Sequence, residues 1–158
     1  MNVCIGAETL LGIFTTGAIG LATPDEIKTY VMLDYKVGDN NEQFDFKDPM
    51  GGFGIEYDIH KHVRLFIEHL SSPRQCNDFP GVNHAGVKLL APITNDLTVY
   101  SGISVNNSSF DSNDNFDGPL GSVGIEYGKS LKFFAEHLAS VREFAKGRTS
   151  LGFKVFFK

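Results

Sequence analysis

The chain contains no tryptophan, only two cysteines, and no stretch rich in lysine and arginine. Each shortage argues against a class of protein. Cys4 and Cys76 lack metal-ligand spacing, and two thiols cannot build a disulfide framework. A formal charge of −5, with no basic stripe and no aromatics interleaved among Lys and Arg, argues against nucleic acid as a partner. No apolar run reaches the ~18 uninterrupted residues of a membrane-spanning helix, and helical periodicity is not sustained over any comparable length. What the 158 residues do have is glycine, 17 of them, and phenylalanine, 14. That mixture suits a single domain of short strands joined by turns.

The clearest internal signal is a repeat. "GGFGIEYDIHKHVRLFIEHLSS" from Gly51 returns as "GSVGIEYGKSLKFFAEHLAS" from Gly121, each copy reading strand, turn, strand. The first copy is longer by an even number of residues between Tyr and His, so every residue keeps its face. Extending the alternation predicts eight strands at about 27–37, 51–59, 63–72, 84–93, 97–106, 120–128, 131–141 and 149–157. Each has the ~9–11 residues a tilted strand needs to cross a bilayer core. Short turns at His60–His62, Thr94–Asp96 and Lys129–Ser130 alternate with long polar loops at 38–50, 73–83 and 107–119.

One set of alternate positions (Val31, Phe53, Leu65, Val87, Ile103, Ile125, Phe133, Phe153 and their neighbours) carries no charge. The opposite set holds Asp34, Lys36, Glu56, Arg64, Glu68, Lys88, Glu126, Lys132, Glu136 and Lys154, with many of the glycines among them. Two architectures fit. A soluble lipocalin-like barrel would place the apolar set inside around a ligand. A transmembrane barrel would turn it toward lipid and pair the charges inside. Loop asymmetry, glycines sharing the charged face, and the bulk of the apolar set favour the second, so the fold class expected is all-β: an eight-stranded antiparallel up-and-down transmembrane β-barrel spanning 23–158. Residues 1–22, apolar from Leu10 with Gly20 and Ala22 at a cleavage-like position, read either as an export signal or as an apolar N-terminal segment.

With this pattern the chain resembles the small eight-stranded outer-membrane proteins of Gram-negative bacteria. The resemblance implies an outer-membrane location, contact with outer-membrane lipid and lipopolysaccharide, and a role exerted through the external loops. The end of the chain, "LGFKVFFK", has Leu151, Phe153, Val155 and Phe157 in alternation, with Lys158 beyond them where those proteins usually end in an aromatic residue.

Within "HLSSPRQCNDFPGVN", His69 and Ser71 fall on the apolar side at a strand end, where an imidazole beside a hydroxyl has the makings of a base and a nucleophile. This stretch resembles the active-site hairpin of the outer-membrane lipid A 3-O-deacylases. The resemblance implies His69 as base, Ser71 as nucleophile and Gly81 as turn glycine, with Asn83 in the place of the acid. It is also similar to short barrel-like proteins encoded by phages. Against a catalytic role, "EHL" recurs at Glu136–Leu138 with Ala139 at the serine position.

Glu56, Arg64, Glu68, Glu126, Lys132 and Glu136 read as a barrel-interior charge network. "DSNDNFDG" from Asp111 lacks the glycine and the closing Glu of a calcium loop. His60 and His62 have no third ligand nearby in sequence, so no metal and no cofactor is expected. Three functions follow as expectations: a non-enzymatic surface barrel, a lipid A deacylase-like ester hydrolase, and a soluble ligand carrier.

Overall fold

The structure, a computed structural model, describes residues 27–39, 42–71, 82–106 and 118–157. The expectations for residues 1–22, for Gly81 and for most of the acidic stretch from Asp111 lie outside the described residues, as do the central parts of the connections 73–83 and 107–119.

Eight strands form: β1 (Ile27–Asp39), β2 (Glu42–His60), β3 (Val63–Ser71), β4 (Val82–Pro92), β5 (Leu97–Asn106), β6 (Leu120–Gly128), β7 (Leu131–Ser140) and β8 (Arg148–Phe157). Each pairs antiparallel with the next, and β8 returns to β1 from Thr29↔Phe157 to Lys36↔Ser150, closing the barrel. Closure leaves no sheet edge along the wall. The short turns, the start of β1 and the end of β8 share one rim. A kinked 3-10 segment, Val141–Lys146, joins β7 to β8 at the other.

The period of two decides the rest. Every inward position among the described residues of the wall carries an even number, from Tyr30 and Asp34 on β1 to Arg148 and Lys154 on β8. Odd positions face out, and many apolar ones stay exposed: Val105 is 66 %, Phe133 58 % and Ile103 57 % accessible. Aromatics gather at both ends of this wall, with Tyr57, Tyr127 and Phe157 toward the turns and Tyr35, Phe53 and Phe144 toward the loops. Such a belt between aromatic girdles is the surface of a barrel that stands in lipid. The soluble lipocalin-like alternative is overturned, because the charged set lies within and the apolar set without.

One expected loop is also corrected. Residues 42–50 continue β2, and with β1 they form a hairpin in which Asp39 pairs with Glu42. Phe44 and Phe46 alternate with polar residues there, a strand signal masked by the surrounding charge. Pro49, which has no N–H to give a ladder, falls where the register shifts between Asp34↔Met50 and Lys36↔Lys47.

The repeat copies form hairpins β2–β3 and β6–β7 in the same register, Gly54↔Glu68 matching Gly124↔Glu136. The structure adds a correspondence that the letters do not show. Tyr30 lies opposite Gly54 and Tyr100 opposite Gly124. A Cβ at Gly54 would come within 2.5 Å of the Tyr30 ring, and one at Gly124 within 2.6 Å of Tyr100. Each glycine is therefore the notch into which a tyrosine lies flat across the inner wall. Gly54→Val is expected to cost about 1–3 kcal/mol through overpacking, read from urea unfolding of the refolded barrel. Gly51→Val, whose Cβ meets nothing within 4 Å, is expected to unfold like the parent. Equal stability of the two variants would remove the notch from the account.

Candidate functional site

Ionised side chains share the interior with buried apolar ones such as Met32, Leu70, Leu120 and Phe134. Five acids (Asp34, Glu56, Glu68, Glu126, Glu136) face five bases (Arg64, Lys88, Lys132, Arg148, Lys154), all buried except Lys132, which is nearly so. Removing single charges from water is prohibitive, and only pairing with good geometry makes such an interior tenable. Each pair joins two different strands, some of them neighbours and some on opposite sides of the barrel. Arg64 on β3 holds Glu56 on β2 at 3.1 Å and Glu126 on β6 at 2.9 Å, so one guanidinium links the equivalent glutamates of the two repeat copies. Its Nε also donates to Asp58 at 2.6 Å, and Asp58 in turn meets Lys28 at the turn rim.

Lys132 reaches Glu126 at 2.7 Å, Lys88 reaches Glu136 at 2.9 Å, and Arg148 reaches Asp34 at 2.6 Å near the loop rim. Glu68 sits at the centre. It accepts from the Tyr30 hydroxyl, meets Lys154 at 3.1 Å and bonds His84 Nε2 at 3.0 Å. Tyr100 is a hydrogen-bond partner of Glu136, as Tyr30 is of Glu68. The ammonium groups also lie over rings, Lys154 4.3 Å from the Tyr30 centroid and Lys88 4.4 Å from that of Tyr100.

Of the six residues expected in the charge network, Glu56, Arg64, Glu126 and Lys132 contact one another, while Glu68 meets Lys154 and Glu136 meets Lys88. Sequence reasoning missed Tyr30, Tyr100, His84 and Arg148. The parity of their positions was the available signal, since each is even-numbered and inward.

His84 also lies 3.4 Å from Ser104 Oγ through Nδ1, giving a Ser104–His84–Glu68 chain with the connectivity of a nucleophile–base–acid relay. Ser104 is 4 %, His84 3 % and Glu68 2 % accessible. A substrate has no approach to it, and its chemistry is that of a satisfied interior.

The sequence-derived catalytic trio lies on the other side of the wall. His69 and Asn83 are cross-strand partners, with His69 Nδ1 2.8 Å from Asn83 Oδ1. Because that oxygen only accepts, Nδ1 carries the proton and Nε2 is left as the base, with the tautomer assigned from this bond. The ring lies 5.2 Å from Phe53, its partner on β2. Although it belongs to the outward set, His69 is only 7 % accessible, with Phe53 and Asn83 in contact with it from the two neighbouring strands. Ser71 shares the outward face two residues on, and among the described residues no hydrogen bond joins it to His69. Of the three residues, the structure joins His69 to Asn83 and leaves the Ser71 hydroxyl apart.

In the second copy His137 has both nitrogens engaged, with Thr149 Oγ1 at 2.8 Å and the Phe144 carbonyl at 2.7 Å. His60 and His62 stack with centroids 5.5 Å apart at the turn rim, where His62 Nδ1 donates to the Leu90 carbonyl at 3.0 Å. Among the described residues no group of three His, Cys, Asp or Glu converges as a metal site.

No family model matches this chain, and no curated protein does. Solved structures do resemble it. One is a de novo designed transmembrane β-barrel, 14% identical, with a TM-score of 0.55 over 86% of this chain and 98% of that one. Another is the Yersinia pestis outer membrane protein Ail in a phospholipid bilayer nanodisc, 10% identical, with a TM-score of 0.42 over 82% of this chain and 99% of that one. Likeness to the designed barrel shows the fold: the protein is a small transmembrane β-barrel of eight strands.

Arg64→Met is expected to cost about 3–5 kcal/mol, because it removes one interior cation and leaves Glu56 only Lys154 at 3.5 Å, while Glu126 keeps Lys132. The additional change Glu56→Gln, which restores four acids against four cations, is expected to recover much of that loss in the same urea titration. A double variant no more stable than Arg64→Met would show that packing, not charge balance, holds the interior.

Proposed function

We propose that the protein is a non-enzymatic barrel of a Gram-negative outer membrane, acting at the cell surface through the connections 72–81 and 107–117 and the β1–β2 hairpin. One observation carries this reading: the interior is a charge-balanced plug of the chain's own side chains inside an apolar wall. Among the described residues such an interior leaves no open path for solutes. The recess at the loop rim, lined by Asp34, Leu120, Glu136 and Arg148, holds about 10 Å³, room for about one water. What remains to meet a partner is the loop rim and the lipid-facing wall, where lipopolysaccharide is the first neighbour.

A second reading rests on the formed His69–Asn83 pair on the outward face. With Ser71 swung toward Nε2, that pair would serve a lipid A 3-O-deacylase-like hydrolase at the outer-leaflet interface. Asn83 would orient the imidazole without supplying the negative charge that steadies imidazolium.

Mass spectrometry of lipid A from cells making the chain separates the two readings. The proposal expects the acyl pattern of control cells, and recovery of the chain in the outer-membrane fraction with its loops cut by protease added to whole cells. Loss of a 3-O acyl chain with the parent but not with Ser71→Ala would replace the proposal by the hydrolase.

A further inference from the structure

The connection between β7 and β8 is not a solvated loop. Val141–Lys146 folds as two short 3-10 turns kinked at Glu143 (φ −136°, ψ 53°), and several separate contacts fasten it to the outside of the wall. The Val141 N–H donates to the Pro119 carbonyl at 3.0 Å, and the Arg142 N–H to Ser140 Oγ at 3.4 Å. His137, an outward residue of β7, donates from Nε2 to the Phe144 carbonyl at 2.7 Å, and its ring meets the Phe144 ring edge-on with centroids 4.9 Å apart.

The Phe144 ring fills the space above Gly121, where a Cβ would lie 3.1 Å from it. A segment so fastened would be expected to hide its apolar residues. Instead Val141 remains 51 % and Phe144 40 % accessible, with Arg142 and Glu143 exposed beside them. That apolar surface continues the exposed wall directly, since Val123 lies across from His137 on β6 and Leu151 follows on β8.

We infer that the 3-10 segment Val141–Lys146 is an interfacial foot, docked on the wall by His137 and the Gly121 notch, whose Val141 and Phe144 enter lipid at the headgroup–acyl boundary. The occupant is lipid because the surface is continuous with a wall already facing acyl chains, and because aromatic and apolar residues flanked by charge suit that depth. A second protein would have to sit in the bilayer to reach the same face. The inference rests on the membrane reading, and the experiment keeps the two apart.

The absence of tryptophan makes the test direct, because any introduced indole is the only one. Phe144→Trp and, separately, Phe133→Trp on the exposed wall are refolded into phosphatidylcholine vesicles, with brominated lipids and aqueous iodide as quenchers. The indole at 144 is expected to emit to the blue of free tryptophan, to be shielded from iodide, and to be quenched more by bromines near the glycerol end of the chain than by those near its terminal methyl. Val141→Trp serves in its place if Phe144→Trp does not refold. Iodide quenching and water-like emission at 144, with bromolipid quenching at 133, would overturn the foot alone. Loss of bromolipid quenching at both positions would overturn the membrane reading beneath it.

Discussion

An ionised side chain inside a closed eight-stranded sheet has no water to retreat to, and this constraint organises the molecule. Five carboxylates and five cations occupy the interior; Arg64, Lys88 and Lys154 reach across the lumen, while Lys132 and Arg148 meet acids on neighbouring strands. Arg64 is the hinge of that arrangement, because it touches three acids from three directions. Cross-barrel pairing ties opposite walls together where backbone hydrogen bonds tie only neighbours. The resulting specificity is of registry: a strand shifted by one residue would carry its charges into lipid and its valines into the network.

The repeat explains how so crowded an interior is assembled. Each half supplies one tyrosine in a glycine notch, one glutamate beside that tyrosine, and one glutamate on the preceding strand of the hairpin: Tyr30, Gly54, Glu68 and Glu56 in the first, Tyr100, Gly124, Glu136 and Glu126 in the second. The bases do not repeat so regularly. Arg64 in the first hairpin answers to Lys132 in the second, and these two share Glu126. Duplicated acids served by unlike cations give the barrel two similar halves and one asymmetric centre.

Much of the fold was legible because period-two alternation is short-range and survives in every strand. The charged and apolar faces, the short turns and the closed count of eight followed from it. The extension of β2 was hidden by the polar composition around Phe44 and Phe46, which reads as loop until a partner strand is seen. At the candidate site, a motif resemblance singled out His69 and Asn83, which are cross-strand partners on β3 and β4. Burial of His69 was not legible, because Phe53 approaches from a strand sixteen residues earlier. Tyr30 and Tyr100 were missed for a related reason. Nothing in their surrounding letters repeats, and only the cross-strand glycines disclose their common role.

Which face of each strand meets lipid can be read by methyl NMR of the barrel in lipid nanodiscs. With leucine, isoleucine and valine methyls labelled, acyl-chain protons are predicted to show nuclear Overhauser contacts to Val31, Leu65, Leu89, Ile103, Ile125 and Leu151. None is predicted to Leu70, Leu90, Leu120 or Leu138, which lie buried on the inner face. Contacts from lipid to the second set, or their absence from the first, would contradict the account.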